Sequence, residues 1–131
     1  MNPKLRNKSE YTGIKRILMS AKYAIDGIVY AYKNEKSLTI HAIATVAGIV
    51  LGLVLKISNI EWAIVSITLA MVLAIELLNT GMEACVDLVT LEYKELAKIA
   101  KDCCAGATFV TSMIGVIIAG FIFIPKIIAL F

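Results

Sequence analysis

The sequence predicts an all-α membrane protein, three transmembrane helices preceded by an amphipathic helix on the membrane surface. Three observations predict it. Apolar residues fill 60% of the 131 positions and the mean hydropathy is +0.84, far outside the range of soluble domains. Three apolar blocks, at about 38–55, 60–82 and 104–124, each approach the roughly 20 residues that a helix needs to cross about 30 Å of hydrocarbon. Over about 13–36 the apolar positions recur instead at three- and four-residue steps, the period of a helix with one apolar face. A single membrane-embedded domain is expected over residues 1–131.

On the surface helix, Ile14, Ile17, Leu18, Ala21, Ala24, Ile25, Ile28, Val29 and Tyr32 share one face, while Lys15, Arg16, Lys22, Asp26 and Lys33 fall largely on the other. A basic polar face just ahead of a span suits the inner leaflet, where lysines meet anionic headgroups. The first 36 residues carry eight Lys or Arg against three acids, which predicts a cytoplasmic N-terminus and, after three crossings, an external C-terminus. The opening stretch MNPKLRNKSEYTG lacks the apolar core of a signal peptide, so the first span is expected to do the targeting.

In that span, Gly48 and Gly52 form a small-xxx-small pair, a pattern that lets a helix of another chain approach closely. The connection Lys56-Ile57-Ser58-Asn59-Ile60-Glu61 predicts a short external turn, with Trp62 beyond it as an interfacial anchor. The segment DLVTLEYKELAKIAKD, from Asp87 to Asp102, is charged and rich in helix formers, so helices should run beyond the bilayer at both of its ends. Pro125 and Lys126 are expected to close the third span at the outer face. Cys85, Cys103 and Cys104, with no CxxC pair and one histidine in the chain, predict neither a zinc site nor a disulfide.

The stretch AIELLNTGMEACVDLVT is out of place at the end of an apolar span. Glu76, Asn79, Glu83 and Asp87 are spaced by three, four and four residues, so they lie within roughly 80° of one another on one helical face. Counted from Ile60 at the outer surface, Glu76 lies about 24 Å down, just inside the inner boundary, and Glu83 about 10 Å further along. Glu35 and the Lys101-Asp102 pair border the cytoplasmic ends of their own spans. Glu35, Glu76, Glu83, Asp102 and Lys101 are therefore expected in one layer. A charge near hydrocarbon costs on the order of 3 kcal/mol, so Glu76 should face other helices or a polar cavity. Helix-to-helix hydrogen bonding by Glu76 and Asn79 is the structural alternative. A solvated face explains Asp87, Glu92, Glu95 and Lys98 equally well.

Clustered carboxylates without a histidine or cysteine pattern favour a hard cation such as Mg²⁺. That ion takes one or two carboxylates and completes its shell with water and phosphate oxygens, so the layer suits a nucleotide at the cytoplasmic surface, with Lys101 offsetting phosphate charge. Glu76, deeper, lies at the level of a lipid headgroup, and partial desolvation makes it a better proton acceptor. Phosphoryl transfer from a nucleotide to a lipid alcohol follows. The sequence has neither a GxxxxGK[ST] loop nor a protein-kinase signature. The rivals are a small oligomeric channel or proton-coupled transporter using Glu76, and a membrane scaffold without activity.

The run ELLNTGMEACVDLV, followed by EYKELAKIAKD, resembles the signature of the prokaryotic diacylglycerol kinase and undecaprenol kinase family, commonly written E-[IL]-[LI]-N-[ST]-x-[IM]-E-x-x-V-D. The likeness runs from about Ile14 onward; KNEKSLTIHA is similar to the family's segment before the first span, and FIFIPKI to the tail of its Gram-positive members. The resemblance implies a homotrimer with active sites between chains that use ATP with Mg²⁺. Position by position, Glu76 matches the catalytic base, which also meets the lipid, and Glu35 and Glu83 match the metal-holding carboxylates at the nucleotide. Arg16, Tyr23, Glu92-Tyr93-Lys94 and Lys101-Asp102 match nucleotide-contacting positions, Arg16 also bordering the lipid. Asn79 and Asp87 are supporting residues. The implied substrate is undecaprenol, with diacylglycerol as the alternative; the implied setting is the bacterial cytoplasmic membrane, with membrane lipids as partners and no nucleic acid.

Overall fold

The computed structural model describes residues 11–131; Lys4, Arg6 and Lys8 of the basic N-terminal segment lie outside the described residues. Four helices follow in order: α1 (Gly13–Asn34), α2 (Lys36–Val54), α3 (Asn59–Val89) and α4 (Glu95–Ile128). The described residues contain no strand. α2, α3 and α4 are each long and apolar enough to cross a membrane, as the three apolar blocks require.

α1 ends two residues before the expected boundary because Glu35 adopts an extended conformation (φ −114°, ψ 116°). Its backbone N–H still donates to the Ala31 carbonyl at 2.8 Å. One residue thus separates surface helix from span. Ala31 and Leu38, on either side of the break, are buried at 2% and 1% exposure. Spaced four and three residues from Glu35, they hold that side of the chain against the bundle.

Between α2 and α3 the chain reverses through residues 55–58, with Lys56 in the left-handed region (φ 48°). Ser58 starts α3 with a capping box: Glu61 N–H donates to Ser58 Oγ at 3.3 Å and Ser58 N–H to Glu61 Oε2 at 2.6 Å. Two of the orphan amide donors at the helix start are thereby paired. Ile57, Val65, Ile122 and Phe123 form the core beneath this turn, with Trp62 against it.

Two of these residues gain a role within the chain. Trp62 lies over Gly52, with ring carbons 2.7 and 2.9 Å from where a Cβ at Gly52 would stand. Gly48 lines a cavity beside Leu69. Gly52 therefore serves packing of α3 on α2, and the indole is a packing element as well as a residue near the end of its span. The reason is steric: only a missing side chain lets the indole close over α2.

α3 and α4 make the main helix pair and run to 31 and 34 residues, well past the apolar cores of their spans at the end where the α3–α4 connection lies, as the charged connection predicts. α4 does not stop at Pro125 but continues to Ile128. A proline this close to a C-terminus removes one helical donor, and its own carbonyl still accepts from Ala129 N–H at 3.1 Å. Two ion pairs join the helices near their ends: Lys126 Nζ stands 3.2 Å from Glu61 Oε2 at the α2–α3 turn, and Lys101 Nζ 2.5 Å from Asp87 Oδ1 at the opposite end. At 1.5 Å per residue the two lie about 39 Å apart along α3, close to the roughly 40–45 Å of a bilayer with its headgroups. Between these levels a largely apolar cavity of about 320 Å³ opens among α2, α3 and α4.

Candidate functional site

The polar stripe of α3 turns inward. Glu76, Asn79 and Thr80 are buried at 2%, 9% and 4% exposure, whereas Asp87, two to three turns on, is half exposed. Their three- and four-residue spacing places them on the face that packs against the rest of the chain. Asn79 Nδ2 donates to Glu83 Oε1 at 3.1 Å, a hydrogen bond to a carboxylate and so one of the stronger kind. Thr80 Oγ1 donates to the Glu76 carbonyl at 3.1 Å. Glu76 Oε2 and Asn79 Oδ1 are buried without a hydrogen-bond partner among the described residues. Such atoms carry a desolvation cost that the fold does not recover.

Glu35 reaches this stripe from the break between α1 and α2. Burial, and then the negative charges of Glu83 and Glu76, push its carboxyl above the ordinary glutamate value. Three acids from two parts of the chain thus crowd one site, as the helical geometry predicts. Lys101 is close enough to Glu83 for their charges to interact, although its ammonium bonds to Asp87. Asp102 stands at the same level but faces elsewhere: it pairs with Lys98 one turn earlier on α4, and both are exposed. The reason is the α-helical repeat, which sets Lys98 and Asp102 on one face while Lys101 faces α3.

A groove between α1 and α3 runs alongside, lined by Tyr23, Gly27 and Ala31 on one side and Leu77, Thr80 and Gly81 on the other. Tyr23 therefore borders the stripe. Arg16 is exposed one to two turns earlier on α1. Glu92, Tyr93 and Lys94 are exposed on the α3–α4 connection, where Glu92 and Lys94 pair at 3.3 Å. The sequence reading passed over Thr80, which its position four residues after Glu76 marks as sharing the buried face.

Among the described residues no group of three His, Cys, Asp or Glu side chains could hold a metal ion. The donors suit a cation that arrives with its own oxygen ligands. Glu35 and Glu83 are mutually repelling carboxylates, and Mg²⁺ uses one or two such groups plus phosphate oxygens.

Residues 22–123 match the family model for prokaryotic diacylglycerol kinase. The chain is 37% identical over 120 residues to the undecaprenol kinase of Bacillus subtilis, covering 92% of this chain and 98% of that protein. It is also 37% identical over 124 residues to a diacylglycerol kinase of Synechocystis sp. (94% and 71% covered), and 30% identical over 106 residues to the diacylglycerol kinase of Escherichia coli (81% and 87%). The matches span the carboxylate stripe, the break at Glu35 and all three apolar helices, so the chain belongs to the prokaryotic diacylglycerol kinase family and is an enzyme of the lipid kinase class.

Proposed function

We propose that this protein transfers the γ-phosphoryl group of ATP to undecaprenol, giving undecaprenyl phosphate and ADP, with Glu76 as the general base. The observation that carries the reading is Glu76 itself, a carboxylate buried at 2% exposure with one unpartnered oxygen, one to two turns from a second acid and crowded by a third. Glu76 Oε2 takes the proton of the lipid hydroxyl. The lipid oxygen then forms its bond to the γ-phosphorus as the bond from that phosphorus to the bridging oxygen of ADP breaks.

Glu35 and Glu83 would hold Mg²⁺ at the nucleotide phosphates, Asn79 fixing the Glu83 carboxylate by its hydrogen bond. Such an ion would supply positive charge against the polyphosphate. Lys101 adds positive charge at the phosphates, and Asp102 lies beside it. Arg16, Tyr23 and the Glu92-Tyr93-Lys94 run contact the nucleotide, with Arg16 also at the lipid edge. Asp87 supports Lys101 through their ion pair. The enzyme works as a homotrimer in the bacterial cytoplasmic membrane with its N-terminus inside, a reading that rests on the family resemblance and the basic N-terminal segment.

Undecaprenol is preferred because the Bacillus subtilis undecaprenol kinase is matched over nearly its whole length; the relatives named diacylglycerol kinase make that lipid the alternative. The test is transfer of ³²P from [γ-³²P]ATP by purified protein in mixed micelles, each lipid offered separately. Faster labelling of undecaprenol supports the assignment, faster labelling of diacylglycerol reverses it, and labelling of neither, alongside nucleotide-independent ion flux in liposomes, replaces it with the channel reading.

A further inference from the structure

The polar side chains that line the cavity among the three spans are His41, Thr45, Thr68 and Ser112, and Ser112 differs from the two threonines. Five threonines of α2, α3 and α4 (Thr45, Thr68, Thr80, Thr108 and Thr111) satisfy their hydroxyls by donating to the carbonyl four residues earlier. That is the usual solution for a hydroxyl on an apolar helix. Ser112 does not adopt it. Its Oγ is buried with no hydrogen-bond partner among the described residues, and the residue lines the cavity wall.

The level of Ser112 follows from the helix pairings. α4 runs antiparallel to α3, and Lys101 is bonded to Asp87; eleven residues further along α4, Ser112 stands level with Glu76. The pairing of Lys126 with Glu61 at the other end sets Ser112 level with Ile75, and the packing of Gly115 between Thr68 and Val72, 3.4 and 3.6 Å from where a Cβ would stand, brackets its level between Met71 and Ile75. Val72 lines the cavity and Glu76 lies one turn on from it, on the same face. Ser112 on the facing helix therefore stands within about one to two turns of the level of Glu76, at the end of the cavity nearest to it. From Ser112 the wall continues outward along α4 through Gly115, Ala119 and Phe123, a run of about 16 Å at 1.5 Å per residue.

A largely apolar slot of that length, with one unpartnered hydroxyl on its wall and one unpartnered carboxylate oxygen near the same end, matches a molecule with a long hydrocarbon chain and a single alcohol at its end. We propose that Ser112 is a lipid-binding residue, its hydroxyl donating a hydrogen bond to the alcohol oxygen of the substrate while that alcohol's own proton is directed to Glu76 and its chain lies in the cavity. The second lone pair of the alcohol oxygen stays free for the phosphorus. This rests on the lipid kinase reading with Glu76 as base.

The test is kinetics of Ser112→Ala in mixed micelles, with Thr111→Ala as control, since the neighbouring hydroxyl is already satisfied by Ala107. Loss of one neutral hydrogen bond predicts a KM for the lipid alcohol raised about 5- to 10-fold, with the KM for ATP unchanged. Thr111→Ala should leave both constants within about twofold. The same lipid with hydrogen in place of its hydroxyl serves as a competitive inhibitor and should bind wild type and Ser112→Ala equally. Ser112→Cys, similar in size but a poor donor, should follow Ser112→Ala. An unchanged KM for the alcohol overturns the proposal, and so does equal weakening of alcohol and hydroxyl-free analogue, which is the mark of a packing role. If wild type labels no lipid alcohol, the lipid kinase reading fails and takes this assignment with it; if wild type is active and Ser112→Ala is normal, only the Ser112 assignment falls.

Discussion

Glu76→Gln separates chemistry from stability. The substitution keeps the size and shape of a side chain that is 2% exposed, and it removes the carboxylate that the proposed base role needs. Oε2 has no partner among the described residues, and an unsatisfied buried polar group costs about 1–3 kcal/mol, more when it is charged. The Gln amide is itself buried and polar, so only the extra cost of an ionised base is relieved, and the variant should gain at most about 1 kcal/mol over wild type, read from the denaturing-detergent midpoint of its helical circular dichroism. Its turnover should fall by about 10²- to 10⁴-fold, the usual contribution of a general base, measured as ³²P transfer from ATP to lipid in mixed micelles. The two effects run in opposite directions, which general disruption of the fold cannot imitate. Undiminished phosphorylation, or a variant less stable than wild type, would refute the assignment of Glu76 as an unpaired base.

The neighbouring acids make further predictions. Glu83→Gln should weaken Mg²⁺-dependent ATP binding by about 10- to 100-fold, seen by calorimetric titration with and without the ion; equal affinity in both conditions contradicts its metal role. Glu35 carries a carboxyl raised above the ordinary value of 4.5, so its contribution to stability is fully present below that value and is lost as pH rises through the raised one. Without divalent cations, Glu35→Gln should therefore melt higher than wild type at pH 7 and converge with it toward pH 4, and a gap that is constant across that range would count against the crowding of the three acids. Gly52→Ala drives a methyl into the Trp62 ring, whose carbons stand 2.7 and 2.9 Å from the new Cβ. It should cost about 1–3 kcal/mol, and Trp62→Phe in the same chain should recover part of the loss.

What the sequence disclosed, it disclosed through period and length. Three apolar blocks and one amphipathic segment were enough to place all four helices, and the spacing of Glu76, Asn79 and Glu83 was enough to put them on one buried face. The break at Glu35 lay within reach, because a surface helix entering a span has to end somewhere, but no proline or glycine marks it. A short motif does not say which helix fills its gap; at Gly52 it is Trp62, brought over by a turn of only a few residues. Nor is depth direction: Lys101 and Asp102 share a level, yet consecutive helical residues point about 100° apart. Ser112 gave no signal in one dimension, since only the missing back-bond of a folded helix distinguishes it from the satisfied threonines around it.

The paired charges at both ends of α3 and α4 set a limit on how this protein meets membranes of different thickness. A slide of one helix past the other by a single turn, about 5.4 Å, would part Glu61 from Lys126 and Asp87 from Lys101 together. Both pairs thus oppose shear as a way of shortening or lengthening. A thinner or thicker bilayer is then met by leaning the two rods as one body or by deforming the lipid around them. Either response shifts the plane in which lipid hydroxyls float relative to Glu76, so the acyl length of the host lipid becomes a variable of turnover in its own right.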